Sequence, residues 1–175
     1  MRRASSLLVA VPLVAALGGC GGNTTSPPPA DLARATACQS EIRADAWAIG
    51  LTKVGDGKRL KVKILGSDPV VPTKGDNTWT VQILDAADLP QDGVKFVRID
   101  PTMPDHGHGT PIVAAAIELM TDHKYKVMPI NLWMPGYWEV AFDLDAGGPA
   151  ADGSAVSDGG SGKTDHVIVK VCIEG

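Results

Sequence analysis

Leu60-Lys61-Val62-Lys63-Ile64 and Trp79-Thr80-Val81-Gln82-Ile83 alternate apolar with polar residues without a break. A strand sends successive side chains to opposite faces, so each run reads as a half-buried strand with one face on a core. The reading extends outward to 93–99, 112–119, 125–133, 137–144 and 166–173. Residues 46–53 are expected to add a strand paired with 58–65 through Gly55-Asp56-Gly57. Gln91-Asp92-Gly93 and the Gly-rich stretch from Gly147 to Gly162 supply further turns. Residues 30–48 have room for a short helix. Seven to eight short strands predict an all-β domain, an immunoglobulin-like β-sandwich of antiparallel strands, with a small closed β-barrel as the alternative. Twenty Gly and 13 Pro against only two Phe and two Tyr suit such a turn-rich architecture.

Outward to the N-terminus, Arg2 and Arg3 precede an apolar run of 11 residues, Leu7 to Leu17. That is too short to cross a bilayer stably but suits an export signal. The run ends in Leu17-Gly18-Gly19-Cys20, which resembles the lipobox of bacterial lipoproteins. The resemblance implies removal of residues 1–19 and acylation of Cys20. Because residue 21 is not Asp, it also implies the outer membrane, facing the periplasm or the cell surface. Residues 20–37, with Pro27-Pro28-Pro29, read as the lipidated cysteine and a solvated tether, and 38–175 as the domain. The membrane, reached through the N-terminal lipid, is then a partner.

Loss of Arg2 and Arg3 takes the formal charge from −4 to −6. A nucleic-acid partner wants a basic face, and that class is excluded. With Cys20 acylated, Cys38 and Cys172 remain, one near each end of the domain in an oxidising compartment. They are read as a disulfide, against the alternative of two buried free thiols.

Counting strands up and down a sandwich brings two distant turns to one end. The first is Met103-Pro104-Asp105-His106-Gly107-His108-Gly109, and the second is Trp133-Met134-Pro135-Gly136-Tyr137-Trp138. Cys172 falls at the same end, and His123 and His166 at the opposite one. With Gly75-Asp76-Asn77-Thr78-Trp79, these stretches resemble the YtkA-like family of extracytoplasmic domains, related in pattern to FixH proteins, over about residues 50–173. The resemblance implies an immunoglobulin-like fold and an association with copper handling and oxidase assembly.

The residues themselves make chemical sense as a copper site. Imidazoles suit both copper oxidation states and thioethers favour Cu(I). His106 and His108 flank one Gly, which lets the loop bend so that the rings converge. Met103 and Met134 are candidate soft ligands, and Asp105 a further ligand or an orienting group. Met128 shares a strand face with Met134 by period-two counting but is read as core. The bland alternative makes Met134 a hydrophobic plug between Trp133 and Trp138. Trp133, Tyr137 and Trp138 also read as a possible interaction patch, since aromatics dominate interface hot spots.

Enzyme classes fail on counting. His106-Gly107-His108-Gly109-Thr110 is similar to the segment around the catalytic histidine of subtilases, but Pro111 follows and no Gly-Thr-Ser segment exists. Four histidines cannot supply the six ligands of a copper–zinc superoxide dismutase. No nucleophile elbow or phosphate-cradling loop is present. Asp143, Asp145, Asp152, Asp158 and Asp165 do not follow calcium-loop spacing and read as a solvated loop. The expectation is a non-enzymatic, lipid-anchored module that binds copper as carrier, buffer or assembly factor and serves a copper-receiving protein. The alternative is a metal-free structural or protein-binding envelope module.

Overall fold

A computed structural model describes residues 38–119, 123–147 and 164–175. The signal, Cys20, the tether, and all of the Gly-rich stretch after Gly147 lie outside the described residues. Among the described residues nine strands form two antiparallel sheets: β1 (Thr52–Val54), β2 (Leu60–Asp68), β3 (Gly75–Asp85), β4 (Lys95–Met103), β5 (His108–Gly109), β6 (Ala115–Leu119), β7 (Lys124–Leu132), β8 (Gly136–Asp145) and β9 (Thr164–Ile173). One sheet has the order β1-β2-β3-β7-β6 and the other β5-β4-β8-β9. With β2, β3, β7 and β6 as strands A, B, E and D, and β4, β8 and β9 as C, F and G, this is the immunoglobulin order. The sheets stay separate, so the fold is a sandwich and not a closed barrel.

The alternation read from the sequence sets the inner faces. Leu60, Val62 and Ile64 face Trp138, Val140 and Phe142 within one core, and all six are fully buried. Trp79 of β3 meets Phe142 of β8 across the sandwich at 6.3 Å and Trp47 at 4.9 Å. Large rings thus fill the space between strands B and F, where many immunoglobulin domains place a disulfide. Here the disulfide joins Cys38 to Cys172 of β9, as expected.

Several boundaries differ from the sequence reading. β1 is the short Thr52–Val54, overlapping only the end of the expected 46–53, and residues 38–48 contain no helix. β6 begins at Ala115. β4 runs past Ile99 through Pro101 to Met103. Proline is tolerated there because Pro101 O accepts Thr110 N on the side away from β8, and the ring nitrogen points the same way. The rest of that outer edge carries exposed Lys95 and Arg98 and a bulge between Phe96 and Arg98, features that discourage pairing with another strand.

Asp165 is the largest correction. It is the second residue of β9 rather than part of a solvated loop, and is only 8% exposed. Its Oδ1 accepts the N–H groups of Gly57 (2.7 Å) and His166 (2.9 Å), and its Oδ2 those of Arg59 (2.7 Å) and Leu60 (3.0 Å). The carboxylate therefore stitches the β1–β2 turn of one sheet to the edge strand of the other. Gly55 makes the close approach possible, since a Cβ there would lie 2.3 Å from Asp165 Cγ.

Candidate functional site

At the end of the sandwich where β4 finishes, Pro104–His106 form one 3-10 turn. Pro104 presets the first position. Gly107 then takes the left-handed conformation (φ 65°) and its N–H donates to Met103 O at 3.0 Å, turning the chain back as β5. This return pairs His108 directly with Met103. Opposed residues of an antiparallel pair point to the same face, so His108 leans toward the interior beside Met103.

His108 is half-buried and its ring stacks on Trp133, with centroids 5.4 Å apart and planes at 27°. His106 is exposed, and its ring lies 5.5 Å from that of His108. The Nδ1 atom of His108 is buried and has no hydrogen-bond partner; Trp79 Nε1 is the other such atom among the described residues. The two turns therefore do meet, as strand counting expected. Trp133 belongs to the second turn, and the Met103 methyl lies beneath Gly136, 2.9 Å from where a Cβ would be.

That second turn is held by Trp138, whose Nε1 donates to Met134 O at 2.9 Å. Met134 is half-buried against the core, and Met103 is 1% exposed within it. Met128 is 38% exposed on β7 and is not core. His123 and His166 lie at the opposite end, paired with Asp92 and Asp143. Of the expected aromatic patch only Trp133 is exposed, at 43%. Trp138 is an inward position of β8, and Tyr137 is covered by Arg43, whose guanidinium sits 4.1 Å above its ring.

Arg43 was not singled out in the sequence. It donates to both carboxylate oxygens of Asp105 at 2.7 Å and also binds Glu41. Asp105 is thereby an anchor for the histidine turn rather than a free ligand. The Arg43 hydrogen bond holds the carboxyls of Asp105 and Glu41 below their ordinary range, and those bonds raise Arg43 in turn. Burial, then the hydrogen bond to Glu139, raises the Tyr137 hydroxyl. The Cys38–Cys172 bond fixes the start of this segment, and Asp45 fixes its end by accepting Lys170 N at 2.8 Å.

No cluster of three or more His, Cys, Asp or Glu suited to a metal occurs among the described residues. A metal here would rest on two imidazoles completed by thioether. The spacing fits: two imidazoles on one ion, each nitrogen about 2 Å from it, put ring centres about 4.5–6 Å apart. Gly136 is a conformational requirement of the site, because its φ of +124° is open to few other residues. Gly136→Ala is expected to cost about 1–2 kcal/mol in urea unfolding, from backbone strain more than from the yielding Met103 methyl.

Comparison of the chain with protein-family models, curated proteins and solved structures finds no match.

Proposed function

We propose that this chain is a non-enzymatic envelope lipoprotein whose YtkA-like sandwich binds one copper ion between its two Met-Pro turns. His106 and His108 would hold it, with Met103 and Met134 as soft ligands. The observation that carries this reading is the buried Nδ1 of His108, unpartnered and next to a second imidazole. A buried imidazole nitrogen without a partner costs about 1–3 kcal/mol, which a bound ion would remove. Bound copper supplies a redox-active, transferable cation. The protein's contribution is to orient the imidazoles through Gly107 and the Arg43–Asp105 anchor, and to keep water from the thioether side. The role is carrier, buffer or assembly factor for a copper-receiving protein, at the outer membrane through acylated Cys20.

Titration of the metal-free protein with Cu(I) and Cu(II) tests the site. His106→Ala and His108→Ala should each weaken binding by about 10- to 100-fold or more, and Met103→Leu should weaken Cu(I) more than Cu(II). Micromolar or weaker binding that survives both histidine substitutions would leave the second reading, a metal-free structural or protein-binding module. Two observations favour that reading: Met103 is wholly inside the core, and His108 already packs on Trp133.

A further inference from the structure

We infer that the end of the sandwich bearing the two Met-Pro turns is a lipid-surface docking face, led by the tips Val70-Val71 and Trp133. Both tips leave from one end, because Gly75, which opens β3 just after the valines, pairs with Leu132, which closes β7 just before Trp133. Val70 is 68%, Val71 62% and Trp133 43% exposed, and Ile42, beside Arg43 at the same end, is 93% exposed. At the opposite end the described loops present charge, with Asp56, Lys58, Arg59, Asp88 and Asp92 exposed. Leu89 is the one large exposed apolar residue in those loops among the described residues.

The valines are presented, not frayed. Pro69 and Pro72 bracket them, Trp47 Nε1 donates to Val70 O at 2.9 Å, and Asn77 bonds both N and O of Thr73. Exposing two rigid apolar side chains to water gains nothing for the fold and suits insertion among acyl chains. Trp133 is the residue type favoured at the headgroup level, and exposed Lys74, in the same loop as the valines, suits lipid phosphate.

The occupant is a bilayer rather than a protein because of where the chain enters. Cys38 is tied to Cys172 at this end, since Cys172 pairs with Tyr137 next to Gly136. Only 17 residues separate it from Cys20. A lipid at Cys20 would hold this end nearer the membrane than the charged one, so the inference draws on the lipoprotein reading for its orientation. It does not draw on the copper reading, and it sets the His106–His108 pair against the bilayer surface.

The test uses residues 20–175 carrying Cys20→Ser, with chelator present, so that neither acylation nor metal contributes. The probe is vesicles of phosphatidylethanolamine and phosphatidylglycerol containing brominated acyl chains. The expected result is measurable partitioning with quenching of tryptophan fluorescence that Trp133→Ser abolishes. Val70→Ser with Val71→Ser should lower the partition coefficient about tenfold, while Leu89→Ser leaves it unchanged. Absence of partitioning, or an equal loss with Leu89→Ser, would overturn the inference and leave a protein partner as the occupant of these tips. The mass of the native chain at Cys20 separately reports whether the lipid anchor exists, so the two readings fail independently.

Discussion

Replacing Cys38 and Cys172 by Ala is expected to lower the melting temperature by about 15 °C, the largest single effect in this fold. The bond closes a loop with a sequence separation of 134 residues. In the chain-entropy account a loop of that size removes about 5 kcal/mol of freedom from the unfolded ensemble. For a domain near this size, 1 kcal/mol moves the midpoint by about 3–4 °C. The native sandwich should change little, because Asp45 still pins the segment through Lys170 N and through Lys53 Nζ at 2.5 Å. The loss should therefore appear as an unfolded chain that is less compact, with a steeper urea dependence. Melting with and without reductant, beside the double variant, checks it. Equal midpoints with titratable thiols in the reduced protein would show that the crosslink contributes no stability.

The sandwich was legible because its faces differ in solvent. At Leu60–Ile64 and Trp79–Ile83 one side of the strand is wet, so period two survives in the residues, and the inner faces fall where it put them. The meeting of the two Met-Pro turns was legible for a related reason, since strands in a sandwich share an axis and only their number must be counted. Trp138, Val140, Phe142 and Leu144 also carry period two, and all four are buried. Read strictly, that parity places Trp138 inside; clustering of three aromatics around one turn obscured it.

Other features rest on partners that no local pattern names. Tyr137 lies on the outward parity of β8 and is nevertheless buried, with Arg43 crossing over its ring. Arg43 finds Asp105 across 62 residues, and nothing in Glu41-Ile42-Arg43 announces that contact. Asp165 ends a Gly- and Asp-rich stretch that resembles solvated loop, one residue before the alternating run that starts at His166, while its acceptors serve a turn more than 100 residues earlier. A carboxylate that replaces backbone pairing between two sheets has the composition of a loop and the burial of a core residue.

Asp165→Asn should accordingly destabilise the domain by about 3–5 kcal/mol, the second large effect. The carboxylate accepts two N–H groups on each oxygen. An amide keeps one accepting oxygen and turns a donor toward the other two N–H groups, and each stranded buried donor costs about 1–3 kcal/mol. Burial by itself opposes ionisation of this carboxyl, but the N–H groups of Leu60, Arg59, Gly57 and His166 outweigh it and hold it below the usual carboxylate range. The sign of the pH effect follows. A depressed folded value means that the unfolded chain takes up the proton first, near pH 4, so the stabilisation is complete above that and is lost as pH falls through the lower folded value. Urea midpoints of the native protein and Asp165→Asn should thus differ by a constant amount above about pH 5 and converge toward pH 2. A gap that stays constant down to pH 2 would mean that the ionised carboxylate is not what holds the β1–β2 turn to β9, whereas convergence assigns that junction to its charge.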